Sequence, residues 1–312
     1  MYSSEIIMKA IPMFPDFAPV CFDMVAEFSD FCEKLESGIS EFITPNLFFD
    51  SKKYMYVFSR LSQNALLLKG VSPAPLYEGQ RGHSPFFSLL SNHVDMELFD
   101  RYLNTYLQEG LFWKNMSEEH KHVLESVLSR REYTILEDRN NFDYLYSRTD
   151  LAQLQGKAFH KKKNLVNAFT GAYESETKKL DVYTIPDALS VLESWKKMRI
   201  QDEDDYKECR MALEKFTQFS LSGIVVYAQG IPVGFSIGQC IQQGTMFVTL
   251  FEKALNGYKG VYQFVNRSQA LHLPPTVEII NREQDLGDEG LRQAKMTYRP
   301  VGFTKKYVVC KE

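Results

Sequence analysis

The C-terminal half of the sequence predicts an α/β (α+β) fold, a mixed sheet with helices on both faces. Three observations carry that prediction. Signals between Leu180 and Cys310 fall in the order β-α-α-β-β-β-α-β-α-β, a three-strand meander that leads into two β–α crossovers. The chain has 312 residues, which is comfortable for two domains of ordinary size. Hydrophobic residues make up 44% and charged residues 24%, the balance of a globular protein with a sizeable core.

In the N-terminal half, Phe17 to Glu36 is apolar at helical spacing. Tyr54–Phe58 and Ala65–Leu68 read as paired strands, and Gly70 to Pro75 punctuates the end of the second. Pro85–Leu90 is a further strand. Asp95–Glu109 and Glu118–Arg130 are amphipathic helices, and Tyr133–Glu137 and Phe142–Tyr146 are extended. A helix is expected over Leu151–Phe169, with Asp150 as N-cap, Gln153 completing a capping box and Gly171 closing its end.

The later elements have clearer signals. Leu180–Ile185 reads as a strand, and Pro186 suits the first turn of a helix over Asp187–Arg199. A second helix spans Asp204–Phe219. Strands follow at Gly223–Ala228, Ile231–Gln239 and Thr245–Phe251, the first two joined by a Gln229-Gly230 hairpin turn. A helix over Lys259–His272, a strand over Thr276–Ile280, a helix over Gly287–Tyr298 and a strand over Phe303–Cys310 complete the order.

Composition excludes several classes. No apolar run approaches the roughly 20 residues that span a bilayer. Met1–Lys9 has no secretory pattern, so a cytoplasmic protein without a transmembrane segment is expected. The five cysteines are odd in number and scattered, so reduced, mostly buried thiols are expected and no metal site. Residues 1–150 carry eight more acidic than basic residues; residues 151–312 carry four more basic than acidic. The basic half is the one to meet an anionic ligand, but the excess is too small for a general nucleic-acid binder. No nucleophile elbow, Walker loop or dinucleotide loop occurs.

The last helix, with Ala294, Tyr298 and Gly302-Phe303, resembles the end of GNAT acyltransferases. Tyr144-Leu145-Tyr146-Ser147, Gly156-Lys157 to Asn164, Phe251-Glu252-Lys253-Ala254 and the run Ile280-Asn281-Arg282-Glu283-Gln284-Asp285-Leu286-Gly287 resemble a narrower group. This is the bacterial family named after the C-terminal domain of phosphatidylglycerol lysyltransferase. The resemblance implies two tandem GNAT-like domains, each a mixed, mostly antiparallel sheet flanked by helices. These would be residues 1–170, a degenerate copy, and residues 171–312, which would carry the site. In the named lysyltransferase this part moves an aminoacyl group from transfer RNA to a lipid. The pyrophosphate loop usual in GNAT proteins is replaced here by Gly257-Tyr258-Lys259-Gly260-Val261. The resemblance therefore favours aminoacyl-tRNA over acyl-CoA as donor substrate, with no permanently bound cofactor. The acceptor is left open among a lipid, a peptide and an amine. A standard acyl-CoA N-acyltransferase and a non-catalytic binding protein on the same scaffold are the alternatives.

Acyl transfer needs a polarised carbonyl, a deprotonated nucleophile and a protonated leaving group. The strands Thr245–Phe251 and Thr276–Ile280 are expected to part and leave a gap there. Tyr298 is the general acid that the GNAT pattern implies; its other role is a core tyrosine. Glu252 and Glu283 stand at the strand ends as base or as anchor for a cationic group, or else as ion-pair partners of Lys253 and Arg282. Gly257, Tyr258, Lys259 and Gly260 open a helix, where free N–H groups attract phosphate; otherwise they form an ordinary turn. Asn281 and Arg282 offer donors to phosphate or carboxylate, or cap the strand end. Asp285 is expected to cap the following helix, with Asp288 in its first turn. Lys157, His160, Lys161, Lys162 and Lys163 form a basic helix face for a transfer-RNA backbone or an anionic lipid surface, or are merely solvated.

Overall fold

The structure, a computed structural model, describes residues 10–73, 75, 83–198 and 205–311. The expectations at Met1–Lys9, at Ala74 and at the helix ends Arg199 and Asp204 lie outside the described residues. The chain divides into two compact units, residues 1–142 with 304–312, and residues 143–303. The division therefore differs from the expected boundary after residue 170, and the chain returns to its first unit at the end. The reason is strand pairing. The strand signal at Phe142–Tyr146 (β7, Asp143–Ser147) pairs with the strand Ile279–Asn281 (β12) far along the sequence. The single C-terminal strand expected at Phe303–Cys310 is two strands, Gly302–Thr304 (β13) and Lys306–Lys311 (β14), which serve different sheets.

The first unit is a seven-stranded sheet. Its strands are β1 (Ala18–Pro19), β2 (Val57–Ser62), β3 (Ala65–Ser72), β4 (Ser84–Ser91), β5 (Phe112–Ser117), β14 and β6 (Tyr133–Glu137), in that spatial order. Pairing is antiparallel except between β4 and β5, which run parallel. The N-terminal helix is shorter than expected, Val25–Cys32. The helix Glu118–Arg130 is as the sequence predicts, and Ser117 caps it by accepting from the His120 N–H. Strand β5 carries no readable alternation, because Lys114 and Asn115 are buried beside Trp113 and Met116. Lys306 on β14 is likewise buried, where the Glu41 carboxylate accepts from its ammonium.

The second unit is also a seven-stranded sheet, ordered β13, β7, β12, β11 (Met246–Ala254), β10 (Ile231–Ile241), β9 (Ser222–Ala228) and β8 (Ser175–Lys179). Here β11 and β12 run parallel. The hairpin between β9 and β10 turns on Gln229 and Gly230, both with positive φ (52° and 76°), the geometry of a tight twisted hairpin. The strand expected at Leu180–Ile185 lies earlier, as β8. Asp181 instead folds a turn, its side chain accepting from the N–H groups of Tyr183 and Thr184. Val182 and Tyr183 are consequently exposed, so their apolar letters did not report burial. The helix that follows, Ile185–Lys197, has Pro186 in its first turn as predicted.

The helix expected over Leu151–Phe169 is broken. Ser147, not Asp150, caps a short helix Arg148–Gln153 by accepting from the Asp150 N–H. Leu154 and Gly156 then take positive φ (49° and 80°), and a second helix spans His160–Ala172. The break lets the two stretches serve different cores. Leu151 and Ala152 pack with Tyr144, Tyr146 and Ile280, whereas Phe159, Val166 and Phe169 pack with Val261, Phe264 and Val265. Two mixed, mostly antiparallel sheets with flanking helices are thus repeated in tandem, the GNAT-like arrangement the sequence predicts.

Candidate functional site

β11 and β12 pair only at Met246↔Ile279, Phe247↔Ile280 and Val248↔Asn281. Past Asn281 the chain turns away through Glu283, whose φ is +55°. β11 runs on to Ala254 and stays paired with β10, the register shifting by one residue at a bulge at Leu250. The strands therefore part at Thr249, and a cavity of about 370 Å³ opens between them. Its wall includes Leu250, Phe251, Glu252 and Lys253 of β11, and Arg282, Glu283 and Gln284 of the departing loop. Leu291, Ala294, Lys295 and Tyr298 close the other side.

A buried frame fixes that loop. Lys295 donates to the carbonyl oxygens of Arg282, Glu283 and Gln284 at 2.5, 3.0 and 2.6 Å, so one ammonium gathers three successive peptides. Burial, with the Arg282 charge nearby, lowers Lys295 to about 8. Asn281 is fully buried; it donates to Asp143 at 3.2 Å and accepts from the Glu283 N–H at 2.8 Å. Asp285 is fully buried too, accepting from the Tyr144 hydroxyl (2.5 Å), from the Gly287 N–H (2.9 Å) and twice from Arg292 (2.9 Å each). These bonds to the charged form hold its carboxyl well below the usual carboxylate range. Asp285 is thus not the cap of the next helix. Asp288 is, accepting from the Leu291 N–H at 2.7 Å.

Arg282 itself points the other way. Its Nη2 donates to Glu252 at 3.2 Å, and its guanidinium lies 5.0 Å from the Tyr298 ring centroid and 5.9 Å from that of Tyr146. The second Glu252 oxygen accepts from Asn266 at 3.2 Å. Tyr298 is 8% exposed, and burial pushes its hydroxyl up to about 12 despite the nearby Arg282 charge. Lys162 also stands by its ring, 4.0 Å from the centroid. Burial first, then Arg282, lowers the Lys162 ammonium.

The structure therefore gathers Glu252, Arg282, Glu283 and Tyr298 in one cavity wall. Gly257, Tyr258, Lys259 and Gly260 are not among its lining residues. Tyr258 packs edge-on against Tyr173 at 5.1 Å, and Lys259 is exposed. Gly260 caps the helix Val261–His272 with φ +85°, and a Cβ there would sit 2.0 Å from the Leu165 carbonyl oxygen. Its glycine is a packing requirement: the helix His160–Ala172 lies across the start of the helix Val261–His272. Lys162 is consequently not part of the basic face. Lys157, His160 and Lys163 border a separate depression of about 520 Å³, and Lys161 is exposed. Lys295, Asp205 and Asn266 were not foreseen, and Lys253, expected as a partner of Glu252, pairs instead with Asp205, since the signal for each is a partner distant in sequence. Only the Ala294–Tyr298 spacing could have drawn attention to Lys295.

A cavity of about 370 Å³ also lies in the first unit, beside Ser62–Ala65 and Ser91–His93. Its charged groups are exposed: Lys34 pairs with Asp30, and His93 lies 3.7 Å from Glu119. Among the described residues, no group of three or more His, Cys, Asp or Glu is placed to hold a metal ion. No described helix is long and apolar enough to cross a membrane, and all five cysteines are free, two of them buried.

Two mixed sheets, with the parallel pairs β4–β5 and β11–β12, and a cavity with charged lining where the second of these pairs parts define a tandem GNAT-like protein. Residues 34–310 match the family described as phosphatidylglycerol lysyltransferase, C-terminal, and the chain belongs to that family. A conserved protein of unknown function from Bacteroides thetaiotaomicron is similar in structure, with TM-score 0.80 and 26% identity over 95% of this chain and 99% of that one. The C-terminal domain of a putative lysylphosphatidylglycerol synthetase from Agrobacterium fabrum shares the fold, with TM-score 0.61 and 13% identity over 94% of this chain and 93% of that one. An uncharacterized protein of Mycoplasmoides gallisepticum is 25% identical over 194 residues, 60% of this chain. The match spans about three fifths (61%) of that curated relative's length.

Proposed function

We propose that this protein transfers an aminoacyl group from aminoacyl-tRNA to a lipid, peptide or amine acceptor, at the cavity where β11 and β12 part. The observation that carries the reading is the Glu252–Arg282–Tyr298 cluster in that cavity's wall. The ester carbonyl of the donor sits against the Arg282 guanidinium, whose forked N–H groups stabilise the oxyanion that forms on attack. Glu252 and Asn266 hold that guanidinium in place. As the tetrahedral intermediate collapses, the ester C–O bond breaks and the ribose oxygen leaves with a proton from Tyr298. Glu283, at the cavity wall, takes the proton of the attacking acceptor.

The raised Tyr298 hydroxyl supports an ester donor. A thiolate, from a thiol of ordinary pKa about 8.5, leaves without help from so weak an acid. An alkoxide, whose conjugate acid is weaker than a phenol, gains from it. The packing of the helix His160–Ala172 on Gly260 also disfavours acyl-CoA, because a pyrophosphate at that helix start would meet the Leu165 backbone. The family's name joins this reading to lysyl transfer onto phosphatidylglycerol; a lipid is accordingly the first acceptor to try. The exposed Lys157 and Lys161 lie on the same unit and suit the transfer-RNA backbone. A transfer-RNA donor places the reaction in the cytoplasm, and the chemistry calls for no resident cofactor.

The test is to incubate the protein with bulk radiolabelled aminoacyl-tRNA and phosphatidylglycerol vesicles or a peptide, and in parallel with acetyl-CoA. Label moving from transfer RNA to acceptor, lost in Arg282→Met, is expected. Transfer from acetyl-CoA and none from transfer RNA would overturn the reading.

A further inference from the structure

We propose that the cavity accepts an aminoacyl group with an uncharged side chain and discriminates against lysyl. The proposal rests on the function proposed above and narrows its substrate. Among the described residues, three carboxylates line the cavity, Asp205, Glu252 and Glu283, and so do three cations, Lys253, Arg282 and Lys295. Two of the carboxylates are ion-paired with two of those cations. Lys253 Nζ donates to both Asp205 oxygens, at 2.6 and 2.7 Å. Arg282 donates to Glu252 at 3.2 Å, and the other Glu252 oxygen holds Asn266. The Glu283 charge acts on Lys295, which lies in the same wall.

A site that selects a lysyl or arginyl side chain must offer it a carboxylate whose charge is not already compensated, because a cation that leaves water unpaired is strongly disfavoured. Here resident cations compensate Asp205 and Glu252, and a substrate ammonium would also meet the like charges of Lys253, Arg282 and Lys295, the last in the same wall as Glu283. Beside the uncharged polar groups of Thr249, Gln284 and Tyr298, the remaining wall is apolar: Leu250 and Phe251 line it, and Leu286, 68% exposed, and Leu291, 41% exposed, stand at its solvent side. The α-amino group of the donor is a smaller obstacle. An α-amino group titrates near about 7.7 and sheds its proton readily at neutral pH, whereas a lysyl amine titrates near about 10.4.

Lys253 is the residue that sets this. It is only 7% exposed and packs 4.2 Å from the Trp195 ring centroid, so its ammonium is held over Asp205 rather than swinging free. Its aliphatic stem fills the same space as methionine.

The experiment compares two stable mimics of the aminoacylated transfer-RNA end, the norleucyl and lysyl amides of 3′-amino-3′-deoxyadenosine. They share a four-carbon side chain that ends in hydrogen in one and in an ammonium in the other. Titration calorimetry on the full chain is expected to find the norleucyl amide bound at least about tenfold more tightly, the scale on which a pocket rejects an unpaired polar group. In Lys253→Met, which leaves Asp205 uncompensated, that ratio should narrow by about tenfold or reverse. Equal or tighter binding of the lysyl amide by the unaltered protein would overturn the specificity while leaving the transferase reading intact. A ratio unmoved in a folded Lys253→Met protein would overturn it too. Should neither amide bind, the transferase reading itself falls and takes this inference with it.

Discussion

Replacing Gly260 by alanine tests the packing of the helix His160–Ala172 on the turn before Val261–His272. Two costs add. Gly260 has φ +85°, and a Cβ in that left-handed region costs roughly 1–2 kcal/mol. The added methyl would also lie 2.0 Å from the Leu165 carbonyl oxygen and 2.8 Å from its carbon, both backbone atoms that move only with the helix His160–Ala172. Overpacking of that kind costs typically about 1–3 kcal/mol. The sum, about 3 kcal/mol, corresponds to roughly 6–12 °C in Tm for a unit of this size. Gly257 is the internal control. It belongs to the same glycine pair, its backbone is not left-handed, and nothing stands within 4 Å of a Cβ placed there. Gly257→Ala should therefore leave Tm unchanged or raise it slightly. Thermal unfolding followed by circular dichroism reads both. A Gly260→Ala loss of no more than about 3 °C would mean that only the backbone cost is real. The helix would then not lie against the turn, and a phosphate could reach it.

Four further outcomes follow from the same geometry. Arg282→Met should lower kcat by about 10²–10³ in the transfer assay, the usual effect of removing one oxyanion donor, and a smaller loss would place the oxyanion elsewhere. Tyr298→Phe should lower kcat by a comparable factor with an ester donor and by much less with a thioester, read by comparing the two donors. His120 is 2% exposed, and burial lowers it to about 4, below its ordinary value of 6.5. The unfolded chain thus binds more protons between those values, so stability contributed by neutral His120 is lost as pH falls from 6.5 towards 4. The loss is about 3 kcal/mol, and a His120→Gln chain should lack that acid-side slope in urea unfolding. Lys157→Glu with Lys161→Glu should weaken transfer-RNA binding and flatten its salt dependence by about two charges, measured by filter binding at several salt concentrations.

The order of elements in the second unit was legible because its periods are strong and local. β9, β10, the turn at Gln229-Gly230 and the helix Val261–His272 all lie where alternation, turn residues and apolar spacing put them. The parting strands were anticipated as well, and with them the neighbourhood of Glu252, Arg282, Glu283 and Tyr298. Three things were not legible. The break at Leu154–Gly156 follows from two stretches packing against two different cores, which a single helical stripe cannot announce. The role of Asn281 and Asp285 as a buried frame depends on Asp143, Tyr144 and Arg292, partners that are known only once the chain has folded back. The unit boundary depends on which strand pairs with which.

The sequence by itself thus determined the kinds and order of the elements, since propensity, capping and periodicity act within a few residues. The tertiary structure alone decided that Lys295 gathers the loop, that Lys162 lies over Tyr298, and that Lys253 compensates Asp205. Each of these is an electrostatic contact between groups far apart in the chain. Such a contact contributes only where folding excludes water and brings the charges within a few ångströms, and no local pattern records that distance.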